Sequence, residues 1–228
     1  WKLDGEVRPI IVNVLNCAPP ANGEPALLSY DDARTLFHEF GHALHGLLSD
    51  VTYPSIAGTA VSRDFVELPS QLYEHWLGTP EVLEKHAVHV RTGKPMPAGL
   101  LAKLKAARTF NQGFATTEFV ASAMADMELH KLEAGELPAD LTRFEADLLA
   151  RIGMPAEVTM RHRLPHFQHI FSGGYASGYY SYMWSEVLDA DAFSAFEETG
   201  NVFDPKTAKK LKAHIYSAGN RRPPEDAY

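Results

Sequence analysis

The segment from Ser29 to Leu47 constrains the fold most, because it has two opposed faces. Its apolar residues recur every three or four positions, the spacing that buries one face of an α-helix. At 100° per residue, His42 lies about 40° and Glu39 about 100° from His38, whereas the apolar residues lie between about 160° and 260°. The segment therefore predicts a helix that packs through one face and presents two imidazoles and a carboxylate on the other side.

Seven further segments show helical periodicity, and glycines fall between them, where helix ends and turns are expected. The predicted helices are Asp64–Leu77, Pro80–Arg91, Pro97–Asn111, Phe114–Ala134, Asp140–Ile152, Tyr175–Glu198 and Pro205–Ala218. One short strand is predicted over Arg8–Asn16, whose residues are β-branched and apolar and are bounded by prolines. The chain is expected to be mostly α, a single compact domain with a small β element near its N-terminus.

Composition and charge exclude several classes of protein. The 228 residues are 45% hydrophobic and 22% charged, which is typical of a soluble globular protein. The formal net charge of −8 opposes binding to nucleic acid or to an anionic membrane, and no apolar run is long enough to span a bilayer. Cys17 is the only cysteine. A chain that cannot form an internal disulfide favours a cytoplasmic location, and a periplasmic protein without disulfides is the alternative.

His38, Glu39 and His42 form the motif HExxH, in which the two histidines bind zinc and the glutamate acts as a general base. Catalytic zinc needs a third protein ligand, and Glu67, in the next predicted helix, is the candidate. His45 is the competitor, but the helical rise places it about 10 Å from His38, too far for both to bind one ion. The alternative to a metal site is a pair of histidines that are merely exposed or hydrogen-bonded in a polar cleft.

Four of the nine tyrosines fall within residues 175–182. Tyr175, Tyr179 and Tyr182 have the spacing i, i+4, i+7, which predicts a shared helix face, while Tyr180 points elsewhere. A packed aromatic stripe is the simpler interpretation, but each buried tyrosine hydroxyl needs a hydrogen-bond partner that phenylalanine does not. A phenol also stays protonated at neutral pH, so it can donate a hydrogen bond to a developing oxyanion.

Three motifs, HEFGHALHGL, RDFVELPSQ and FQHIFSGGYASGYYSYMW, follow one another along the chain. With the rest of the sequence they resemble the thimet oligopeptidase family (M3-type) of zinc metallopeptidases, most closely its bacterial peptidyl-dipeptidases, with oligopeptidase A as a near relative. The resemblance implies a zincin-like, helical metallopeptidase catalytic region with one zinc ion, bound by His38, His42 and Glu67. It also implies that residues 1–228 are the C-terminal catalytic region of a longer protein, without the family's N-terminal helical part and extreme C-terminus.

The resemblance assigns roles to further residues. Those implied to contact the substrate and stabilise the transition state are His169, Tyr175 and Tyr182. Tyr179 is expected to bind substrate with them. Gly58 and Thr59 match the family segment that runs beside the bound peptide, and a plain turn is the alternative for this segment.

The expected activity is zinc-dependent hydrolysis of short peptides, with release of C-terminal dipeptides. An endo-acting oligopeptidase is the alternative within the family, and a zinc- and peptide-binding module with little turnover is the alternative for this chain alone. The expected partners are peptide substrates and the N-terminal half of the same protein. Gln71 and Glu74 are candidates to orient the zinc ligands, and Arg161 and Arg163 are candidates to bind the substrate's C-terminal carboxylate.

Overall fold

The computed structural model describes residue 2, residues 5–21 and residues 23–228. Its α-helices within these residues are α1 (Tyr30–Leu47), α2 (Leu68–Leu77), α3 (Pro80–His86), α4 (Ala98–Ala107), α5 (Gln112–His130), α6 (Leu141–Arg151), α7 (Gln168–Phe171), α8 (Ser181–Glu197), α9 (Pro205–Leu211) and α10 (Pro224–Ala227). A turn of π-helix, Lys212–Tyr216, follows α9 directly. The prediction of a mostly α chain is confirmed.

The chain forms two compact units, and each has its own hydrophobic core. The first unit comprises Trp1–Leu101 and Met183–Tyr228, and the second comprises Ala102–Tyr182. One cluster of buried core residues in the first unit comprises Phe65, Leu68, Leu72, Phe193 and Ile215. A cluster in the second unit comprises Ala125, Leu129, Leu148, Met160, Leu164, Phe167, Ile170, Tyr175 and Tyr179. That the chain acts as one catalytic region stays a prediction.

Helix α1 begins one residue after Ser29, as predicted, because Ser29 and Asp32 form a capping box. The Asp32 N–H donates to the Ser29 hydroxyl at 3.0 Å, and the Ser29 N–H donates to the Asp32 carboxylate at 2.9 Å. Both backbone groups would otherwise be unpaired at the helix N-terminus. The cap therefore fixes where the helix that carries HExxH starts.

The predicted strand over Arg8–Asn16 is wrong. Residues 5–21 and 23–228 contain no β-strand longer than an isolated bridge, such as the antiparallel pair Val88 and Pro95. Ile10 is 92% exposed and Val14 is 83% exposed. β-branched residues favour an extended backbone, but a strand forms only where a second strand satisfies its hydrogen bonds. The described part of this chain supplies no such partner.

The predicted helix Tyr175–Glu198 begins later than expected, at Ser181. Ser177 adopts a positive φ of 54°, which an α-helix excludes. The residues before Ser181 form turns, in which the Gly178 N–H donates to the Tyr175 carbonyl at 2.8 Å. The predicted helix face shared by Tyr175, Tyr179 and Tyr182 is therefore wrong, because only Tyr182 lies in the helix. Helix α2 likewise begins at Leu68 instead of Asp64, so Glu67 directly precedes it.

None of the helices in the described ranges is long and apolar enough to cross a membrane.

Candidate metal centre and tyrosine cluster

Three potential metal ligands meet in the first unit. His38 and His42 lie one turn apart on α1, and Glu67 directly precedes α2. One ligand atom from each residue lies within 4.8 Å of the other two. The Nε2 atoms of His38 and His42 are 3.2 and 3.1 Å from the Glu67 Oε2 atom. The structure thus brings together the three residues that the sequence analysis selected as ligands, and we call them the metal group.

The spacing and chemistry of the metal group fit zinc. Zinc binds imidazole nitrogen and carboxylate oxygen at about 2.0–2.2 Å in a tetrahedral arrangement, so two of its ligand atoms lie roughly 3.3 Å apart. The two nitrogen–oxygen distances of 3.2 and 3.1 Å are close to that value. Two histidines and one glutamate also match a common ligand set of catalytic zinc sites, which leave one position open.

The approach of α2 to α1 depends on Gly41, which lies between the two histidines in the sequence. A Cβ atom on Gly41 would lie 2.6 Å from the Pro69 carbonyl oxygen and 2.6 Å from the Ser70 Cα atom, closer than real Cβ atoms come. The Tyr216 hydroxyl donates to the same Pro69 carbonyl at 2.9 Å. The glycine of the motif therefore allows α2 to pack directly on α1, and this packing places Glu67 beside the histidines.

Hydrogen bonds orient two of the three potential ligands. The Ser70 hydroxyl lies 2.9 Å from the Glu67 Oε2 atom, to which it donates. The Glu74 Oε1 atom is 2.7 Å from the His38 Nδ1 atom. A carboxylate on the far nitrogen of a metal-binding histidine selects the tautomer that leaves the other nitrogen free for the metal. Glu74 thus takes the orienting position considered for it in the sequence.

The electrostatics of the metal group favour a bound positive charge. Burial opposes the charged form of His38, but its hydrogen bonds to Glu67 and Glu74 outweigh burial and raise the pKa of His38 to about 9. Glu67 itself is 1% exposed. Because two carboxylates contact one imidazole here, a proton or a metal cation is needed to balance the charge.

Glu39 is half-buried on α1, next in sequence to His38. Within the described residues its carboxylate has no hydrogen bond or ion pair, so it is available to accept a proton.

His45 lies outside the metal group and is fully buried, with its ring edge-on to Tyr216 at 6.2 Å between centroids. Burial lowers the pKa of His45 to about 4, so this imidazole is neutral at pH 7.

A second group of predicted site residues meets in the second unit. His169 lies on α7, Tyr175 and Tyr179 lie in the turns before α8, and Tyr182 lies in its first turn. The rings of Tyr175 and Tyr182 stack at 5.1 Å, and those of Tyr179 and Tyr182 meet at 5.3 Å. His169 lies 5.6 Å from Tyr179 and 6.2 Å from Tyr175. We call these four residues the tyrosine cluster, and Tyr180 is exposed, as predicted.

The structure places Gly58 and Thr59 differently from each other. Gly58 is buried, with a φ of 54°, and its N–H donates to the Ser49 hydroxyl at 3.0 Å. A Cβ atom on Gly58 would lie 3.0 Å from the Gly46 Cα atom. Gly58 is thus a turn residue that packs against the end of α1, whereas Thr59 is exposed. Substrate binding by this segment stays a prediction.

The two arginine candidates also differ. Arg163 pairs with the buried carboxylate of Glu145, which also accepts from the Leu164 N–H at 2.8 Å. Its charge is therefore already neutralised within the protein. Arg161 is exposed, and its charge partly offsets the effect of burial, which raises the pKa of Tyr179. Arg161 thus lies near the tyrosine cluster and remains the better candidate to bind a substrate carboxylate.

The sequence analysis missed Asp126, a buried acidic residue on α5. Its carboxylate accepts hydrogen bonds from backbone N–H groups of the turns that carry the tyrosines. One signal was available: Asp126 is the only charged residue among the buried positions of α5, which are otherwise Ala121, Ser122, Ala125 and Leu129. A buried carboxylate among small and apolar residues needs donors from elsewhere in the fold.

Comparison with known proteins gives one family and a consistent set of relatives. The sequence model described as "Peptidase family M3" matches residues 4–228. The chain is 43% identical to the dipeptidyl carboxypeptidase of Salmonella typhimurium and 42% identical to that of Escherichia coli, over 98% of its length in both cases. It is 38% identical to oligopeptidase A of Escherichia coli over 100% of its length. The chain spans about a third of the length of these relatives, 33%, 33% and 34% respectively.

Proposed function

The chain belongs to peptidase family M3, and from that premise we propose that it is the catalytic region of a zinc-dependent peptidase. The observation that carries the proposal is the metal group: two imidazoles and one carboxylate whose ligand atoms all lie within 4.8 Å of one another. Its spacing, its surplus of negative charge and its place in HExxH all support zinc as the ion. The substrates are short peptides, in keeping with the names of the relatives.

The residues around the metal group have separable roles in hydrolysis. A zinc ion held by His38, His42 and Glu67 would supply Lewis acidity, which activates water and polarises the scissile carbonyl. Glu39 accepts a proton from the attacking water and passes it to the leaving amine. The water oxygen bonds first to the carbonyl carbon, whose oxygen becomes an oxyanion, and the carbon–nitrogen bond then breaks, so the products are a carboxylic acid and an amine.

We assign the tyrosine cluster to the stabilisation of the transition state. Tyr175 and Tyr182 donate hydrogen bonds to the developing oxyanion, His169 assists them, and Tyr179 binds substrate. The family motif GGYxxGYYxY supports this assignment, as does the gathering of the four rings in one cluster. A neutral phenol is suited to the role because it is a hydrogen-bond donor at pH 7.

We further propose that the full-length protein releases C-terminal dipeptides. The chain is more similar to the two dipeptidyl carboxypeptidases than to oligopeptidase A. Such an enzyme must bind a free carboxylate two residues beyond the cleaved bond. Arg161 is the candidate for this contact within the chain, and the N-terminal half of the protein is the alternative source of the cation. An endo-acting oligopeptidase is the second candidate function.

A pair of matched substrates tests dipeptide release in the full-length protein. A tetrapeptide with a free C-terminal acid should yield two dipeptides, whereas its C-terminal amide should be cleaved at least ~10²-fold more slowly, because a charged hydrogen bond of about 3 kcal/mol is lost. Mass spectrometry of the products gives both results. Equal rates on acid and amide, or internal cuts without dipeptides, would instead support the oligopeptidase.

The variant Glu39→Gln tests the hydrolytic mechanism separately from metal binding. Glutamine keeps the size and hydrogen-bonding capacity of the side chain but cannot act as the base, so kcat should fall by ~10² or more with zinc content unchanged. Metal content by mass spectrometry and steady-state kinetics measure the two effects. If zinc and activity fell together, Glu39 would be a ligand and the assignment of the base would be wrong.

The N-terminal half of the same protein is the proposed partner of this chain, and the cytoplasm is the proposed location. Assay of the isolated chain beside the full-length protein tests the partner. If the chain binds zinc and peptide but hydrolyses peptides only when that N-terminal half is present, the partner supplies part of the substrate site. Equal turnover would show that the chain is sufficient.

A further inference from the structure

We propose that Asp126 is a positioning residue that fixes the backbone of the tyrosine cluster for the reaction. Its Oδ1 atom accepts from the Ser177 N–H at 2.9 Å, and its Oδ2 atom accepts from the Tyr179 N–H at 2.9 Å. Asp126 is 1% exposed, so both oxygens make their contacts inside the protein. The inference rests on the proposed function only in that it takes Tyr175 and Tyr182 to act in peptide hydrolysis.

The turn that Asp126 holds has little regular structure of its own. Between Tyr175 and Ser181, the Gly178 N–H bonds to the Tyr175 carbonyl, which leaves the amides on either side of Gly178 for another acceptor. Ser177 has a φ of 54°, a left-handed conformation that side-chain-bearing residues seldom adopt. Such a conformation persists only where its surroundings fix it. The two carboxylate oxygens of Asp126 accept hydrogen bonds from the N–H of Ser177 itself and from the N–H of Tyr179.

His130 also contacts Asp126. It lies one turn after Asp126 on α5, and its Nδ1 atom is 2.8 Å from the Asp126 Oδ1 atom and 2.9 Å from the Asp126 carbonyl oxygen. Since both neighbours are acceptors, Nδ1 carries the proton and donates to them. The Asp126 carboxylate therefore has two backbone donors, and the His130 imidazole, which is hydrogen-bonded to the Asp126 carbonyl, lies in contact with it.

The same helix also contacts the rings of the cluster. Phe119, two turns before Asp126 on α5, stacks on Tyr179 at 5.1 Å and lies edge-on to Tyr182 at 6.4 Å. Helix α5 thus contacts the turn in two ways: Asp126 binds the backbone of the turn, and Phe119 packs against the tyrosine rings. A displacement of about 1 Å at a reacting group can reduce the rate by ~10²-fold. The contacts of Asp126 are therefore expected to matter for kcat more than for substrate binding.

The test compares Asp126→Asn with Asp140→Asn in the full-length, zinc-loaded protein. Asparagine directs an NH₂ group at one of the two amides, so one hydrogen bond becomes a clash of donors. We expect kcat to fall ~10- to 100-fold with KM changed less than ~3-fold and zinc content unchanged. Hydrogen exchange should become at least ~10-fold faster at the amides of residues 177 and 179.

Asp140 is the matched control, since its carboxylate also accepts from two backbone amides, those of Thr142 and Arg143, at 2.9 and 3.1 Å. It caps α6 at an exposed position, away from the tyrosine cluster in sequence. Asparagine is as good a helix cap as aspartate. Asp140→Asn should leave kcat and the exchange of residues 177 and 179 unchanged.

Hydrogen exchange of the unaltered protein tests the inference even if Asp126→Asn does not fold. The amides of residues 177 and 179 should be protected like those of α5, and both should exchange far more slowly than the amide of the exposed residue 176. Rapid exchange at 177 and 179 would overturn the inference, as would a folded Asp126→Asn variant with unchanged kcat. Failure of the proposed function would appear elsewhere, in unchanged activity of Tyr175→Phe and Tyr182→Phe.

Discussion

The metal group and the tyrosine cluster are built in different ways. The metal group takes two of its three members from a single turn of α1, and its third from the residue before α2. Its members are polar, and hydrogen bonds between side chains join Glu74 to His38 and Ser70 to Glu67. The tyrosine cluster takes its members from α7, from turns and from α8. Its rings pack against one another, and the carboxylate of Asp126, which is far away in sequence, accepts hydrogen bonds from its backbone.

This difference shows which structural elements fix the geometry of each site. In the metal group, ligand spacing follows from the pitch of an α-helix, so the two histidines keep their separation whenever α1 forms. In the tyrosine cluster, no single element fixes the spacing. Its geometry depends on α5, which contributes Asp126 and Phe119 but no member of the cluster. We therefore expect the metal group to lose its function when a ligand is removed. We expect the tyrosine cluster to lose its function when its side chains are displaced.

The largest expected effect is removal of a ligand. His38→Ala or Glu67→Ala should abolish zinc binding and activity together, because two remaining protein ligands hold zinc far more weakly than three. Metal content and peptidase rate check this in the same preparations. His45→Ala is the control, since His45 lies outside the metal group, and it should keep most of the zinc. If His45→Ala loses the metal and Glu67→Ala retains it, the ligand assignment is wrong.

A smaller effect is expected at the tyrosine cluster. Tyr175→Phe or Tyr182→Phe removes only a hydroxyl, so kcat should fall by ~10²–10³ with little change in KM and no loss of zinc. Tyr180→Phe is the matched control, because Tyr180 lies outside the cluster and is exposed. Steady-state kinetics separate the two constants. A rise in KM alone would mean that these tyrosines bind substrate without stabilising the transition state.

The pH dependence of stability tests the packing of α1. His45 has a pKa of about 4 in the folded chain, below the ordinary value of 6.5, because it is buried. The unfolded chain therefore binds a proton between pH 6.5 and 4 that the folded chain does not. Over this range the free energy of unfolding should fall by up to about 3 kcal/mol as pH falls, and be fully restored above pH 6.5.

Urea unfolding of metal-free protein at several pH values measures this loss. His45→Leu should flatten the dependence between pH 6.5 and 4, because leucine does not titrate. His86→Gln is the control at an exposed histidine and should preserve the dependence. An unchanged slope in His45→Leu would assign the pH dependence to another group.

The smallest expected effect comes from the contact between α1 and α2. Gly41→Ala adds one methyl group where the backbone of α2 lies 2.6 Å away, so α2 must move and carry Glu67 with it. We expect zinc affinity to fall by roughly 10-fold with all three ligands still present, comparable to the loss of an orienting contact. Competition with a chelator gives the affinity. Gly99→Ala on α4, where a Cβ atom meets nothing within 4 Å, should leave the affinity unchanged.

The sequence alone determined the helical character of the chain and the first two members of the metal group. Amphipathic periodicity and the Ser29 cap fix α1, and helix pitch then fixes the relation of His38 to His42, because both are local properties. It also selected Glu67 as the third ligand, through the need for one more donor and the resemblance to a known family. The spacing of the tyrosines predicted a shared helix face, whereas Tyr175 and Tyr179 precede α8 and the three rings meet through turns.

Only the tertiary structure decided the rest. The segment 8–16 has the composition of a strand, yet pairing requires a second strand that the described residues do not provide. The start of α8 depends on where the amides before it find acceptors, and Asp126, 51 residues from Ser177 in sequence, accepts hydrogen bonds from two of them. The close contact of Gly41 with Pro69 likewise appears only when two helices pack. Local patterns fix the conformation of a segment, whereas the partners of its remaining polar groups and surfaces lie far away in sequence and are set by packing.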